Sequence, residues 1–290
     1  MTLNRIKILR EKFKKFEIDG YIVPKNDEFF SEYAENDRLK NISNFTGSAG
    51  LAIILKKNNY LFVDGRYTIQ AQNESGKNFK IIEIHKKLPH NIIKKCKLGF
   101  DPLLFTSNKL KRYFSNNIKL VSINENLIDK IYKNKNKKAK PFFSLSKNIV
   151  GESYQSKIKK VINFLKKNKA DYLFVSAPEN VAWLLNIRGS DNPTSPIPNS
   201  RLIIGKNKQL LLIAKKGCVQ KIINQKKIKR DQIIDFGQLK ESINKLKGTN
   251  FIIDHHSCSI FAERVIKSKF KILDIKDPIY KLKSIKNSSE

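Results

Sequence analysis

Two unbroken apolar runs, Leu51–Leu55 and Tyr60–Val63, hinge on the polar turn Lys56-Lys57-Asn58-Asn59 and constrain this chain most. Runs this short and continuous, bounded by turn residues, suit strands buried on both faces, which predicts a layered α/β core. Gly47 and Gly50 bracket the entry, where the backbone needs freedom or close approach. Asp64-Gly65 closes the second run, and Arg66-Tyr67 opens a helical pattern. Arg66 is thereby placed at a strand-to-helix corner, a position where α/β proteins bind ligands. A plain ion pair with a neighbouring carboxylate is the alternative use of the same residue.

Around this hairpin the chain alternates. Leu3, Ile6, Leu9, Phe13 and Phe16 recur at helical spacing, followed by Asp19-Gly20 and a short strand Tyr21–Pro24. Asn26–Asp37 reads as a polar loop or short helix, a rim for a cleft. Helices are predicted over Thr68–Glu74, Pro89–Lys95 and Ser107–Phe114, and strands over Phe79–Ile84, Leu98–Asp101 and Lys119–Ile123. Apolar periodicity lapses after Tyr132 in a Lys- and Asn-rich stretch ending in proline, which reads as a linker. The pattern then restarts: helix Ser156–Lys167 with Ile158, Val161, Ile162 and Leu165 inward, strand Asp171–Val175, a helix carrying Asn180, Trp183 and Leu184, and a hairpin Arg201–Gly205/Gln209–Ala214. Helices at Lys216–Asn224, Phe236–Leu246 and Ser259–Lys267 follow, with strands at Asn250–Ile253 and Lys271–Leu273. The halves therefore read as diverged copies of one α/β unit, each a mixed β-sheet flanked by helices, with domains 1–147 and 148–290.

A net charge of +32 would favour anionic partners. The excess is nearly all lysine, spread along the chain beside abundant Ile and Asn, as A/T-rich codon usage produces. Base readers favour arginine, and single-strand binders interleave aromatics with charge. No specific nucleic-acid partner is therefore expected. The absence of a run of ~18 apolar residues argues against a membrane partner, and Met1–Phe16 lacks a signal-peptide core. Cys96, Cys218 and Cys258 have no metal spacing and suit a reducing compartment, so a cytoplasmic location is expected.

Catalytic chemistry finds little purchase. No HExxH, CxxC, EF-hand, P-loop or GxGxxG spacing occurs. Asp254-His255-His256 is the most metal-like cluster, yet neighbours at a strand end point to opposite faces, which suits one buried and one solvent-facing histidine. Cys258 follows His256 by two residues with no third group to orient a nucleophilic pair, so it reads as a packing residue. No catalytic residue and no metal ligand is assigned.

Asn44–Tyr67, NFTGSAG followed by DGRY, resembles the first N-terminal domain of Xaa-Pro aminopeptidases of the creatinase/prolidase group. Glu179–Pro193 is similar to their second N-terminal domain, and Asp277–Glu290 resembles the point where their catalytic domain begins. The resemblance implies two creatinase-type N-terminal domains without the pita-bread catalytic domain. It implies that these domains wall a cleft, limit access to short peptides with proline second, and contribute to oligomer contacts. The family's binuclear divalent site, typically manganese, belongs to that catalytic domain, so no cofactor is expected in this chain. A separately encoded pita-bread domain is an expected partner, docking around Asp277–Glu290. By resemblance Arg66 reaches toward bound peptide, with Trp183 and Arg188 as weaker candidates. The chain alone is expected to be inactive, as a truncated product, half of a split gene or a fragment. A stand-alone binding or assembly module and a charge-driven nucleic-acid-associated protein are the competing readings.

Overall fold

The computed structural model describes residues 2–31, 36–114, 117–132, 140–192 and 194–290. It divides into unit 1, Met1–Asn136, and unit 2, Lys137–Glu290; the boundary set from the sequence at 147/148 lies inside unit 2.

Unit 1 contains α1 (Thr2–Glu11), β1 (Gly20–Pro24), α2 (Arg38–Ser43), β2 (Gly50–Leu55), β3 (Asn59–Val63), α3 (Thr68–Ser75), β4 (Lys80–Glu83), α4 (Pro89–Ile92), β5 (Cys96–Phe100), α5 (Ser107–Tyr113) and β6 (Ile118–Ser122). These strands form a six-stranded sheet in the order β4-β3-β2-β1-β5-β6. β2 runs antiparallel to β1 and β3, whereas the β1–β5, β5–β6 and β3–β4 pairs are parallel. Side chains alternate across a strand. Tyr21, Val23, Ala52, Ile54, Leu61 and Val63 share one core with Ile6, Leu9 and Phe13 beneath α1 and Leu39 and Ile42 of α2. The intervening Ile22, Leu51, Ile53 and Phe62 are also buried, so both faces of the central strands are covered, as the hairpin implied. Each such side chain contributes ~1.5–3 kcal/mol by leaving water.

Two details depart from the sequence pattern. Leu3, placed inward by helical spacing, is 66 % exposed. The polar segment after β1 turns inward at its start, with Lys25, Asn26 and Asp27 all buried. The rest of the lapse after Tyr132 lies outside the described residues.

Unit 2 contains β7 (Phe143–Ser144), α6 (Lys147–Val150), α7 (Tyr154–Lys167), β8 (Tyr172–Val175), α8 (Pro178–Leu185), β9 (Ile187–Arg188), β10 (Arg201–Gly205), β11 (Leu210–Ile213), α9 (Lys216–Asn224), β12 (Ile233–Ile234), α10 (Leu239–Lys245), β13 (Asn250–Ile253), α11 (Ile260–Lys267), β14 (Lys271–Asp274) and α12 (Pro278–Ser284). Its six-stranded sheet follows the order β12-β11-β10-β8-β13-β14, with β10 antiparallel to both neighbours and the other pairs parallel. Strand for strand this is the wiring of unit 1, as expected of diverged copies. Leu173, Val175, Leu202 and Ile204 face α7, α8 and α9, and Ile279 of α12 joins that core. Tyr172, Phe174, Ile203, Phe251 and Ile253 face α10 and α11 on the other side. The predicted helix at Phe236–Leu246 opens as a 3-10 turn, Phe236–Gln238, before α10. The two-residue strands β7, β9 and β12 are too short for a period to reveal.

Candidate functional site

The pairings of unit 1 send β1, β3, β4, β5 and β6 in one direction, so their carboxyl ends share one edge of the sheet. That edge is where open α/β sheets take ligands. It gathers Arg66 after β3, His85 after β4, and the Thr46–Ala49 loop entering β2.

Arg66 sits in a 3-10 turn, Gly65–Tyr67, capped by Asp64, whose side chain accepts from the Arg66 backbone N–H at 3.1 Å. Arg66 Nε donates to Asp64 Oδ1 at 2.8 Å, and the guanidinium stands 5.5 Å from the Tyr67 ring centroid. His85 Nε2 lies 3.3 Å from Asp64 Oδ2. The side-chain hydrogen bond from Arg66, then that from its backbone, hold the Asp64 carboxyl down at about 2. Asp64 is therefore ionised through the neutral range and aims the guanidinium. The Arg66 side chain is nevertheless 75 % exposed. An ion pair and an exposed guanidinium thus coexist in one residue.

The loop beside it is fixed. Tyr67 Oη and Ser48 Oγ are 2.9 Å apart, Thr46 N and Oγ1 each donate to Glu74 at 2.7 Å, and Gln70 Nε2 donates to Thr46 Oγ1 at 2.7 Å. Gly47 could not carry a side chain here, because a Cβ would come within 2.3 Å of the Phe45 ring. NFTGSAG and DGRY are thereby locked together from both sides of the hairpin.

Along the same edge, after β1 and β6, Arg38 is buried and grips Asp129 with both Nε (2.9 Å) and Nη2 (2.8 Å) while also pairing with Glu28. Lys25 pairs with Asp37. Desolvation pushes Asp27 up to about 6 and Lys109 down to about 8. Sequence reasoning missed this ionic layer. Asp27, Glu28 and Asp37 fall in the segment Asn26–Asp37 that reads as a rim, and no pattern along the chain singles out Lys25, Arg38, Lys109 or Asp129.

In unit 2, Trp183 is partly buried against its own core and the Arg188 guanidinium turns onto nearby backbone carbonyls. Arg188 Nη1 donates to Ala182 O (3.3 Å) and Ile187 O (2.9 Å), closing the end of α8. Asn186, in the left-handed region at φ 53°, shapes the turn after α8, and Asn180 is buried and donates to Asp277 Oδ2 at 2.8 Å. His255 is partly buried and His256 exposed. Burial raises the Cys258 thiol well above its ordinary range.

These donors do not suit a binuclear metal set. Among the described residues no group of three or more His, Cys, Asp or Glu could hold a metal ion. Both ring nitrogens of His255 are already engaged, Nδ1 with Asp274 at 2.7 Å and Nε2 with Glu263 at 3.3 Å. Among the described residues no helix is long and apolar enough to cross a membrane.

Fold and corner together define an α/β chain made of two repeats of one mixed-sheet domain. Family models of the Creatinase/Prolidase N-terminal domain match residues 5–131 and 133–290, so the chain belongs to the creatinase/prolidase N-terminal domain family. A probable Xaa-Pro aminopeptidase P of Laccaria bicolor is 29 % identical over 100 % of this chain and 48 % of its own length. Xaa-Pro aminopeptidase 1 of Dictyostelium discoideum is 33 % identical over 72 % of this chain and 37 % of its own. The crystal structure of an X-prolyl aminopeptidase from Caenorhabditis elegans, described as a cytosolic enzyme with a di-nuclear active site, superposes with a TM-score of 0.83 at 21 % identity. It covers 100 % of this chain and 52 % of that one, and shows the fold. The chain thus spans about half the length of such relatives.

Proposed function

We propose that these 290 residues form the peptide-access and assembly part of an Xaa-Pro aminopeptidase-type metallohydrolase, whose reaction removes an N-terminal residue preceding proline. The observation that carries this reading is coverage: two N-terminal family models lie end to end over the chain, with relatives bearing the Xaa-Pro aminopeptidase name. In this reading hydrolysis belongs to a pita-bread partner region, which supplies the divalent metals and docks near Asp277–Glu290. The residues here shape the cleft mouth and favour oligomer contacts.

Arg66 is the peptide-facing group of the proposal. A guanidinium offers a planar fork of donors suited to a peptide carboxylate or carbonyl, and Asp64 orients it. Arg66→Ala is expected to weaken binding of Arg-Pro-Pro-type peptides roughly tenfold or more, the scale of a lost charge-assisted hydrogen bond. Thermal stability should be unchanged, because the side chain is exposed. Calorimetric titration of both proteins tests this; equal peptide affinity would remove Arg66 from the proposal. Metal-dependent hydrolysis of such a peptide by these 290 residues alone would overturn the division of labour.

A further inference from the structure

Lysines run along the whole sequence, but carboxylates do not. Between Glu152 and Asp171, and again between Asp191 and Asp231, the chain carries no Asp or Glu. The first gap holds α7 and the second holds α9, and both helices cover the same side of the unit 2 sheet. They meet where Lys227, just past α9, stands 4.6 Å from the ring centroid of Tyr154 at the start of α7.

Ile158, Val161, Ile162 and Leu165 face α7 inward, and Cys218, Val219 and Ile222 do the same for α9. Helical spacing then leaves Lys159, Lys166 and Lys167 on the outer face of α7 and Lys216 and Lys221 on that of α9, with Lys226 just beyond; all are exposed. Among the described residues no ion pair holds any of them. Of the carboxylates that bound the gaps, Glu152 pairs with Lys160 at 2.8 Å, Asp171 pairs with Lys206 at 2.7 Å, and Asp191 accepts from Asn199 N at 2.7 Å. The opposite side of the same sheet mixes its signs: α10 carries Glu241, paired with Lys245 at 2.6 Å, and α11 carries Glu263 next to Arg264. Codon usage raises lysine content on both sides alike. It does not strip the carboxylates from one of them.

We propose that the α7–α9 face of unit 2 is a docking surface for the phosphate backbone of a nucleic-acid duplex, recognised by charge and not by sequence. Lysine presents a point charge on a flexible stem, which suits phosphate oxygens and positions a backbone without reading bases. A duplex lines up one negative charge per ~1.7 Å of its axis, and each phosphate neutralised releases a counterion. Lys159 and Lys166 stand about 10 Å apart along α7, so the helix holds its charges in a stiff row. Tyr154 and Phe164 pack against the core rather than offering rings to unpaired bases, which favours a duplex over a single strand. A bilayer would in addition need apolar side chains to bury in it. Among the described residues no large exposed apolar side chain lies on α7 or α9.

The test measures binding of a short mixed-sequence DNA duplex to the 290-residue chain by fluorescence anisotropy, from about 50 to about 200 mM salt. A quadruple variant, Lys159→Gln, Lys166→Gln, Lys216→Gln and Lys221→Gln, should bind at least about tenfold more weakly at ~100 mM salt. Its plot of log Kd against log salt should be shallower by about 2 or more. A matched variant away from this face, Lys240→Gln, Lys247→Gln, Lys267→Gln and Lys271→Gln, removes the same charge and should stay within about threefold of the parent. All of these side chains are exposed, so both variants should melt as the parent does. Equal losses in the two variants would assign binding to net charge and overturn the docking face. Capture of the chain by phosphatidylserine vesicles, without saturable binding of the duplex, would overturn it too. None of these readouts depends on peptide binding.

Discussion

Lys157→Ala is expected to destabilise unit 2 by ~3 kcal/mol, the range for stripping a buried charged donor from its acceptors. Lys157 lies on α7 among Ile158, Val161 and Leu165, and is 1 % exposed. Its Nζ donates to Trp183 O at 3.1 Å and to Asn186 Oδ1 at 2.9 Å, and stands 3.9 Å from the Trp183 ring centroid. Burial lowers its pKa from the ordinary lysine value, the direction expected where desolvation outweighs nearby charge. The ammonium therefore works as a fastener. It joins α7 to the carboxyl end of α8, where Asn186 holds its left-handed turn and donates onward to Glu152 O at 2.8 Å. Alanine leaves two acceptors unmet and a void where the stem lay. Methionine fills the void alone, so Lys157→Met should cost less, ~1–2 kcal/mol. Urea unfolding followed by Trp183, the one tryptophan of the sequence, reads unit 2 directly. An alanine variant within ~0.5 kcal/mol of the parent would show the contact to be incidental.

Arg38→Ala should have a comparable effect on unit 1, ~2–4 kcal/mol, from breaking a buried ion pair on one side. The figure stays below the extreme because Glu28 and Asp129 are about one-third exposed (33 % and 37 %) and water partly screens them. Arg38→Lys should recover only part of the loss. A lysine cannot reproduce the two-nitrogen grip on Asp129 while reaching Glu28. Amide exchange across β1 and β6 separates the outcomes; a lysine variant equal to the parent would assign the effect to charge rather than geometry.

Much of the architecture was legible because it rests on periodicity. The runs at Leu51–Leu55 and Tyr60–Val63 became β2 and β3, and Ile158, Val161, Ile162 and Leu165 all point inward. The restart after the Lys- and Asn-rich stretch reappears as two sheets of identical wiring. What stayed hidden is the polar interior. Lys157, Arg38 and Asp277 belong to residue types that pattern reasoning assigns to solvent, and only three-dimensional partners reveal them as buried. The Arg66 corner was visible as a strand-to-helix junction. Its bracing by Asp64, His85, Ser48 and Glu74 depends on loops meeting across the sheet edge, which spacing along the chain does not encode.

Each sheet draws all six strands from its own unit, with the earliest strand placed centrally and its flanking partners arriving later. During synthesis, β1 must wait for β2 and then for β5, but it waits for nothing beyond Asn136. Unit 1 can therefore finish folding as it leaves the ribosome, while unit 2 is still being translated. Its near twin then emerges after the central strands of unit 1 have found their partners, which guards a duplicated chain against pairing across its repeats.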